Sequence, residues 1–298
     1  MVAKTCREGE PFACAAGRVF STQVRALARK IRSTGLKSVV VGVSGGLDSA
    51  LCLIVAAAAF DLLKLSRNAI RAYTMPGFGT SRRTRSNASA LCRELGIPVE
   101  TIDITAACRR HLKDIGHDGK TPDAVYENSQ ARMRTMVLLD KANMHEALVL
   151  GTGDLSEIAL GWCTFGGDAL SHFGVNAGVP KTVVRKVCAW WAAKHASKTM
   201  ADIVATPVSP ELVKGQTTEE KIGPYELHDF FLWKMLKEGA KASAALKAAI
   251  AAFKGKYAPQ DVRKTFGIFR SRYNSQAFKR EAMPPGIDVF GIGLAKKL

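Results

Sequence analysis

The chain has 298 residues, 47% hydrophobic and 23% charged, with 43 basic against 26 acidic side chains and a net charge of +17. That composition suits one large globular domain, or one domain with extensions. It excludes a bilayer-spanning segment, because the longest apolar run, Ala50 to Leu63, is interrupted by Asp61. The N-terminus carries charges without a sustained apolar stretch, so no signal peptide is expected. Seven cysteines with no C-x-x-C pair read as reduced thiols of a cytoplasmic protein. The positive field favours anionic partners, and nucleic acid, a polyphosphate substrate and plain solvated surface all fit it.

In chain order, residues 1–17 read as a leader or linker, punctuated by Gly9, Pro11 and Gly17. Val19 to Ile31 has the period of an amphipathic helix with Arg25, Arg29 and Lys30 on its wet face. A buried strand is expected at 38–43, a helix from Ala50 to Leu63, and a second strand from Ala69 to Met75. A helix follows over Ser81 to Leu95, closed by Gly96, then a third strand over Val99 to Ile104 and a loose polar stretch from His117 to Pro122. Tyr126 to Asn143 reads as helix, Ala147 to Leu150 as a fourth strand, and Asp154 to Trp162 as helix. Alternating strands and helices predict a parallel α/β sheet with helices on both faces. After residue 165 the period is lost: an irregular loop from Gly166 to Pro180, a helix to about His195, and an edge strand over Ile203 to Val208. Ser209 to Gly223 is polar and broken by glycine, and its stretch from Gly215 suits a lid. Helices are expected over Pro224 to Lys237, Ala240 to Phe253 and Pro259 to Phe278, giving a helical C-terminal extension. Residues 18–285 form the main domain and 286–298 an extended tail after Pro284-Pro285-Gly286.

The chemistry gathers first at Val43-Ser44-Gly45-Gly46-Leu47-Asp48-Ser49. A strand that meets a Ser-Gly-Gly turn and then a helix is a phosphate cradle, since glycines admit an anion to the backbone and the helix start points N–H groups at it. The turn carries a carboxylate and no lysine, which makes sense where Asp48 shares a magnesium ion with the phosphates. At the next strand end, Asp154 and Glu157 have capping-box spacing, and Glu157 equally suits a magnesium ligand facing Asp48. Lys181 follows Pro180 at the start of a helix, where a cation opposes the dipole. It is either a tolerated surface charge or one half of a phosphate grip.

The S-G-G-x-D-S turn resembles the pyrophosphate loop of the ATP pyrophosphatases. The stretch Leu150-Gly151-Thr152-Gly153-Asp154-Leu155-Ser156-Glu157, continued by Gly174-Val175-Asn176-Ala177-Gly178-Val179-Pro180-Lys181-Thr182, resembles the synthetase domain of NAD synthetases, especially the glutamine-dependent type. Further matching pieces are Glu127 to Arg132, Ser209-Pro210-Glu211-Leu212, Gly223 to Leu227 and Ser275 to Arg280. The resemblance covers roughly residues 19 to 285.

It implies a ligase that adenylates the nicotinate carboxylate of deamido-NAD with ATP, releases pyrophosphate, and lets ammonia expel AMP to leave NAD. By resemblance Gly42, Val43, Ser44, Gly45, Gly46, Leu47, Asp48 and Ser49, with Thr152, Lys181 and Ser209, lie on the ATP side. Asp48 and Lys181 are the catalytic candidates, and Asp48 with Glu157 the magnesium ligands. Asn128, Arg132, Glu157, the run Trp162-Cys163-Thr164-Phe165, and Lys279 fall on the deamido-NAD side. From spacing alone Trp162 and Phe165 read as ordinary core, and Lys279 with Arg270, Arg272 and Arg280 as a solvated helix face. The family also implies a homodimer or larger homo-oligomer, with Lys279 able to serve the neighbouring subunit.

Full glutamine-dependent enzymes carry an amidase domain before the synthetase. The stretch ahead of Ser38 is too short to hold one, which leaves Cys6 and Cys14 without an amidase around them. The nitrogen source is then free ammonia or a separate glutaminase, unless the chain is a fragment or a divergent copy. Two readings compete. A tRNA-modifying enzyme with the same loop suits the charge but lacks a C-x-x-C pair and an RNA-binding module. A non-catalytic nucleotide sensor has no need of the intact Ser44, Asp48, Glu157 and Lys181.

Overall fold

Strand β1 (Ser38–Gly42) lies at the centre of a five-stranded parallel sheet ordered β3-β2-β1-β4-β5. The computed structural model describes residues 11–12, 15–209, 212 and 217–294, without the Arg82 side chain. Cys6, Cys14, Pro210-Glu211 and Gly215 lie outside the described residues. The other strands are β2 (Ile70–Thr74), β3 (Val99–Thr101), β4 (Ala147–Gly151) and β5 (Phe173–Gly174). Val39 pairs with Ile70 on one side and Leu148 on the other, so β1 has hydrogen-bonded neighbours along both edges. Its side chains alternate between two cores. Val39 and Val41 join one cluster with Ile70, Ala72, Leu148 and Leu150; Val40 joins another with Tyr73, Met75 and Val149. A strand covered on both faces has no polar alternation, which is why Val39-Val40-Val41 is continuously apolar.

The larger core packs α1 (Ala16–Thr34), α2 (Leu47–Leu63) and α7 (Lys181–His195) on one face, with α3 (Arg82–Glu94) and α8 (Lys198–Ala205) beside them. Helix α2 is buried almost all round, from Leu47 to Ala57, so its sequence has no polar stripe. Its run of alanines lets α1 and α7 approach closely. The other face carries α4 (Thr105–Asp114) and α5 (Ala124–Met144), which bury Cys108 and Ala142 against β1, β2 and β4.

A separate aromatic-rich cluster holds the C-terminal helices: α10 (Tyr225–Leu232), α11 (Ala242–Ala252) and α12 (Pro259–Ser275), with Phe231, Phe266, Phe269 and Tyr273 inside. It joins the sheet domain through Ala159 and Leu160 of α6 (Leu155–Leu160). Short α9 (Thr218–Ile222) leads into α10, and α13 (Ala277–Glu281) follows α12.

Several expectations change. Ile203 to Val208 is no edge strand: Ser197 caps α8 by accepting from Met200 N, and Met200 and Ile203 bury one helical face. The edge position is taken instead by β5, two residues inside the stretch read as irregular. Helix α4 was not anticipated, although Cys108 and Leu112 have i,i+4 spacing. Strand β3 stops at Thr101, before Asp103 accepts from Thr105 N to open α4. The expected helix over Pro224 to Lys237 passes into a π turn at Trp233, and the one from Pro259 breaks at Gln276.

The chain after α13 is built into the larger core. Gly174 N donates to Pro285 O and Ile287 N to Gly174 O, extending the sheet edge in parallel. Ile287, Val289, Phe290 and Ile292 are buried, and the Phe290 ring meets Phe12 edge-on at 5.0 Å. Phe290→Ala is expected to lower unfolding free energy by about 3 kcal/mol or more, read by urea denaturation; an unchanged midpoint would remove residues 287–292 from the core.

Candidate active site

In an open parallel sheet, ligands collect beyond the carboxyl ends of the strands where the chain order reverses. Here that point lies between β1, which leads away to β2 and β3, and β4, which leads to β5. The turns after β1 and β4 are the two motif-bearing loops.

After β1, Gly45 has φ +87°, and a Cβ there would stand 2.1 Å from Thr84 O. Only glycine fits both the backbone and the close approach of α3. The turn is tied internally: Ser44 N donates to Ser49 Oγ at 3.2 Å, Gly46 N to Ser44 Oγ at 3.2 Å, and the Ser49 hydroxyl to Gly46 O at 3.1 Å. Helices α3, α5, α6 and α8 have side-chain caps, whereas α2 begins at Gly46 with none. Its first N–H groups, at Leu47, Asp48 and Ser49, find no acceptor within the helix, and the positive end of its dipole faces the cavity.

After β4, both readings of Asp154 and Glu157 hold together. Asp154 Oδ1 accepts from Glu157 N at 2.8 Å and Glu157 Oε2 from Asp154 N at 3.5 Å, closing a capping box. The remaining oxygens turn toward Lys181. Its ammonium, 2% exposed, lies 2.6 Å from Asp48 Oδ2, 2.8 Å from Asp154 Oδ2 and 2.7 Å from Glu157 Oε1. Burial by itself would push this ammonium down; the carboxylates, Asp154 first, hold it well above the ordinary lysine value. Burial pushes the carboxyls up: Asp154 well above its usual range and Glu157 to about 7, against the opposing pull of Lys181. Lys181 is thus neither a surface charge nor exposed to the cavity.

One ammonium cannot balance three carboxylates, and Asp48 Oδ1 is buried without a hydrogen-bond partner. Ligand oxygens of Asp48, Asp154 and Glu157 lie within 4.8 Å of one another. An all-oxygen set with surplus negative charge fits a hard divalent cation. Asp154 joins Asp48 and Glu157 in this set, an addition hidden in the sequence by its capping-box spacing.

The lysine at the start of α7 has a local explanation. Pro180 offers no side-chain cap, and α7 has no acid in its first turn. Asp229 of α10 supplies one from a distance, accepting from Thr182 N at 2.9 Å, from Thr182 Oγ1 at 2.6 Å and from the Ser156 hydroxyl. Ser156 Oγ in turn accepts from Lys181 N at 2.9 Å. Burial pushes the Asp229 carboxyl up to about 6 against these donors. Nothing in the sequence near residue 229 marks it as a cap for a helix that starts 48 positions earlier.

A cavity of about 590 Å³ opens above both turns. Its walls include Gly42 to Ser49, Thr152, Glu157 and Ser209, together with Asn128, Trp162, Cys163, Thr164 and Lys279. Lys181 lies beneath it, and Arg132 and Phe165 stand outside its lining. Helix α5 holds the 162–168 loop: Asn128 Oδ1 accepts from Thr164 Oγ1 at 2.7 Å, and Arg132 Nε donates to Phe165 O at 3.2 Å. Trp162 is half-buried at the edge of the aromatic core, whereas Phe165 is not core. The Arg272 guanidinium lies 4.9 Å from the Trp162 ring centre, while Phe165, 47% exposed, packs on Phe278, 52% exposed. Lys279 is not a solvated charge either; its Nζ donates to Gly161 O at 2.9 Å and Cys163 O at 2.7 Å. Asp168, absent from the sequence reading, lines this cavity and a small one behind it, and accepts from Thr164 N at 2.8 Å. The residue is exposed, and partial desolvation of its carboxyl raises the pKa.

The acid–lysine cluster has a measurable pH signature. A carboxyl whose pKa is raised on folding, as for Glu157 from 4.5 to about 7, stabilises fully below its unfolded pKa and loses that contribution as pH rises through about 7. Lys181, raised instead, keeps its contribution throughout pH 5–8. Without divalent cations, the melting temperature of the protein relative to Glu157→Gln is expected to fall from pH 5 to pH 8. Lys181→Met, which leaves the acids uncompensated, should lose about 3–5 kcal/mol at pH 8 and less at pH 5; a pH-independent loss would contradict the burial of these charges.

Comparison with known proteins matches the same region. Residues 19–282 fit the family model described as NAD synthase. A glutamine-dependent NAD(+) synthetase of Mycobacterium leprae is 40% identical over 91% of this chain, which spans 45% of that relative's length. Two solved structures share the fold. One is an NMN synthetase from Francisella tularensis, with TM-score 0.70 and 23% identity, covering 89% of this chain and 96% of its own. The other is an NH3-dependent NAD synthetase from Campylobacter jejuni, with TM-score 0.64 and 22% identity, covering 91% and 98%. With a family match running from α1 through α13 and a relative at 40% identity, the chain belongs to the NAD synthase family.

Proposed function

We propose that the chain catalyses ATP-dependent amidation of deamido-NAD to NAD, with release of pyrophosphate and AMP. The observation that carries this reading is the meeting of Asp48, Asp154 and Glu157 over Lys181 at the floor of the cavity, directly below the uncapped start of α2. A family match that runs far past the shared glycine turn leaves the tRNA-modifying alternative without support.

The reaction needs a poor acyl donor made into a good one. The nicotinate carboxylate attacks the α-phosphorus of ATP, pyrophosphate leaves, and ammonia then attacks the acyl carbon of the adenylate and expels AMP. The N–H groups at the start of α2 and the hydroxyls of Ser44 and Ser49 would bind the leaving pyrophosphate, with Thr152 and Ser209 on the same wall. Asp48, Glu157 and Asp154 would hold magnesium, which when bound neutralises charge on the departing phosphates. Lys181 supplies a fixed positive charge beneath them. On the facing wall Asn128, Thr164, Trp162, Cys163 and Lys279 would seat the nicotinate half, with Arg132 and Phe165 shaping their loop. Asp168, an exposed carboxylate of raised pKa on the cavity lining, suits acceptance of the proton that ammonium must lose before attack.

Among the described residues no helix is long and apolar enough to cross a membrane. Exposed Met136 and Met144 on α5, with the Phe165–Phe278 pair, suit a homodimer. A separate glutaminase remains compatible as a source of ammonia.

The test is NAD formation from deamido-NAD, ATP and magnesium, with ammonium and with glutamine in parallel and nicotinate mononucleotide offered as a smaller acid. NAD with ammonium alone is the expected result; amidation of the mononucleotide only would move the substrate assignment, and no pyrophosphate under any condition would end the reading. Asp48→Asn should cut pyrophosphate release about 100-fold or more while leaving the circular dichroism spectrum intact. Lys279→Ala should raise the KM for deamido-NAD more than that for ATP, because it unties Gly161 and Cys163 on the nicotinate wall.

A further inference from the structure

Besides Lys181, a second side chain bridges the crevice between β1 and β4 at its floor. Asn176, fully buried, donates through Nδ2 to Asp48 O at 2.9 Å and to Thr152 O at 2.9 Å. The first carbonyl belongs to the opening turn of α2, the second to the loop between β4 and α6. These are the two segments that deliver Asp48 from one side and Asp154 and Glu157 from the other to the same ammonium.

The orientation of the Asn176 amide is fixed from behind. Gln23 of α1, also fully buried, donates from Nε2 to Asn176 Oδ1 at 3.0 Å and to Val175 O at 3.1 Å. Both Asn176 amide hydrogens then face the two carbonyls, and its oxygen faces the one donor available to it. A reversed amide would set its oxygen against two carbonyl oxygens and its NH2 against the Gln23 NH2, leaving buried polar groups unpaired. The backbone continues the link, since Val179 N donates to Asn176 O at 2.8 Å and Leu155 N to Val179 O at 3.0 Å.

We propose that Asn176, oriented by Gln23, is a positioning residue that sets the width of the β1–β4 crevice and so the spacing of the carboxylates around Lys181. It touches none of the reacting groups and acts through the Asp48 and Thr152 carbonyls. Lys181 ties the acids only through side-chain tips, mutual repulsion of the carboxylates tends to open the crevice, and among the described residues the β1–β4 ladder ends at Val41 with Leu150. The amide brace opposes that opening. The catalytic consequence rests on the proposed amidation; the brace itself does not.

The test uses Asn176→Asp, which keeps the side-chain shape, still accepts from Gln23, and replaces both donors with an acceptor. Gln23→Met removes the orienting amide, and Asn176→Ser is an uncharged second variant should the aspartate hamper folding. Amide hydrogen exchange is followed by mass spectrometry over peptides covering residues 44–50, 151–156 and, as a reference, α11 and α12. In Asn176→Asp, exchange is expected to rise about fivefold or more in both turn peptides together, with the reference helices unchanged. Gln23→Met should show a smaller rise in the same two peptides, and the double variant no more than Asn176→Asp alone. In the enzyme assay, the magnesium concentration for half-maximal pyrophosphate release should rise about tenfold with the KM for deamido-NAD within twofold of the parent. Exchange that stays unchanged in either turn, or rises equally in α11 and α12, overturns the proposal. A parent protein that releases no pyrophosphate ends the proposed function instead, and the exchange measurement still decides the brace.

Discussion

One buried ammonium holds the floor of this protein together. Lys181 reaches three carboxylates from two separate turns, and none of these groups is stable in that place without the others. The cluster forces α2, the β4–α6 turn and α7 to converge, and with all three acids ionised it carries a surplus of negative charge. That surplus is the physical argument for a divalent cation in the proposed chemistry, and it explains why the supporting hydrogen bonds are so densely placed. Asp229 anchors the helix that carries the lysine, and Asn176 ties the turns that carry the acids.

The second constraint is the junction between two cores. The sheet domain builds the glycine turn and the acidic turn, while the aromatic helical cluster beyond residue 222 supplies what holds them in register. Asp229 comes from that cluster, as do Arg272 over the Trp162 ring and Lys279 on the Gly161 and Cys163 carbonyls. The helical extension therefore forms one wall of the cavity. The segment after α13 reinforces the same arrangement from the far side: it pairs with β5 and buries Phe290 against Phe12, closing the core behind the loop that leads to Lys181.

Where the sequence misled, local pattern and tertiary use had parted company. Ile203 to Val208 has strand-like composition, but Ser197 caps a helix there and the sheet edge is completed by Phe173-Gly174, too short to leave a period. Phe165 has core-like spacing, yet it is 47% exposed, because its loop is held away by α5. Lys181 at a helix start looked unfavourable by its dipole alone. The acids that hold its ammonium come from the turns after β1 and β4, and the acid that caps its helix stands 48 residues away, distances at which no window of sequence shows them.

The sequence by itself determined the parallel α/β class, the glycine turn with its acid, and the resemblance that brackets the site. Each is written in contiguous residues: an apolar strand, a glycine turn with its acid, and the apolar helix that follows. It also marked Asp48, Glu157 and Lys181 as participants. What only the tertiary structure decided is how they meet. The depth of Lys181, the third carboxylate at Asp154, the trans cap from Asp229 and the Gln23–Asn176 brace all depend on side chains from distant segments sharing one desolvated volume. Burial shifts the ionisation of those groups, and hydrogen bonds set their spacing. Both quantities belong to the packed arrangement, so neither can be read from any one stretch of chain.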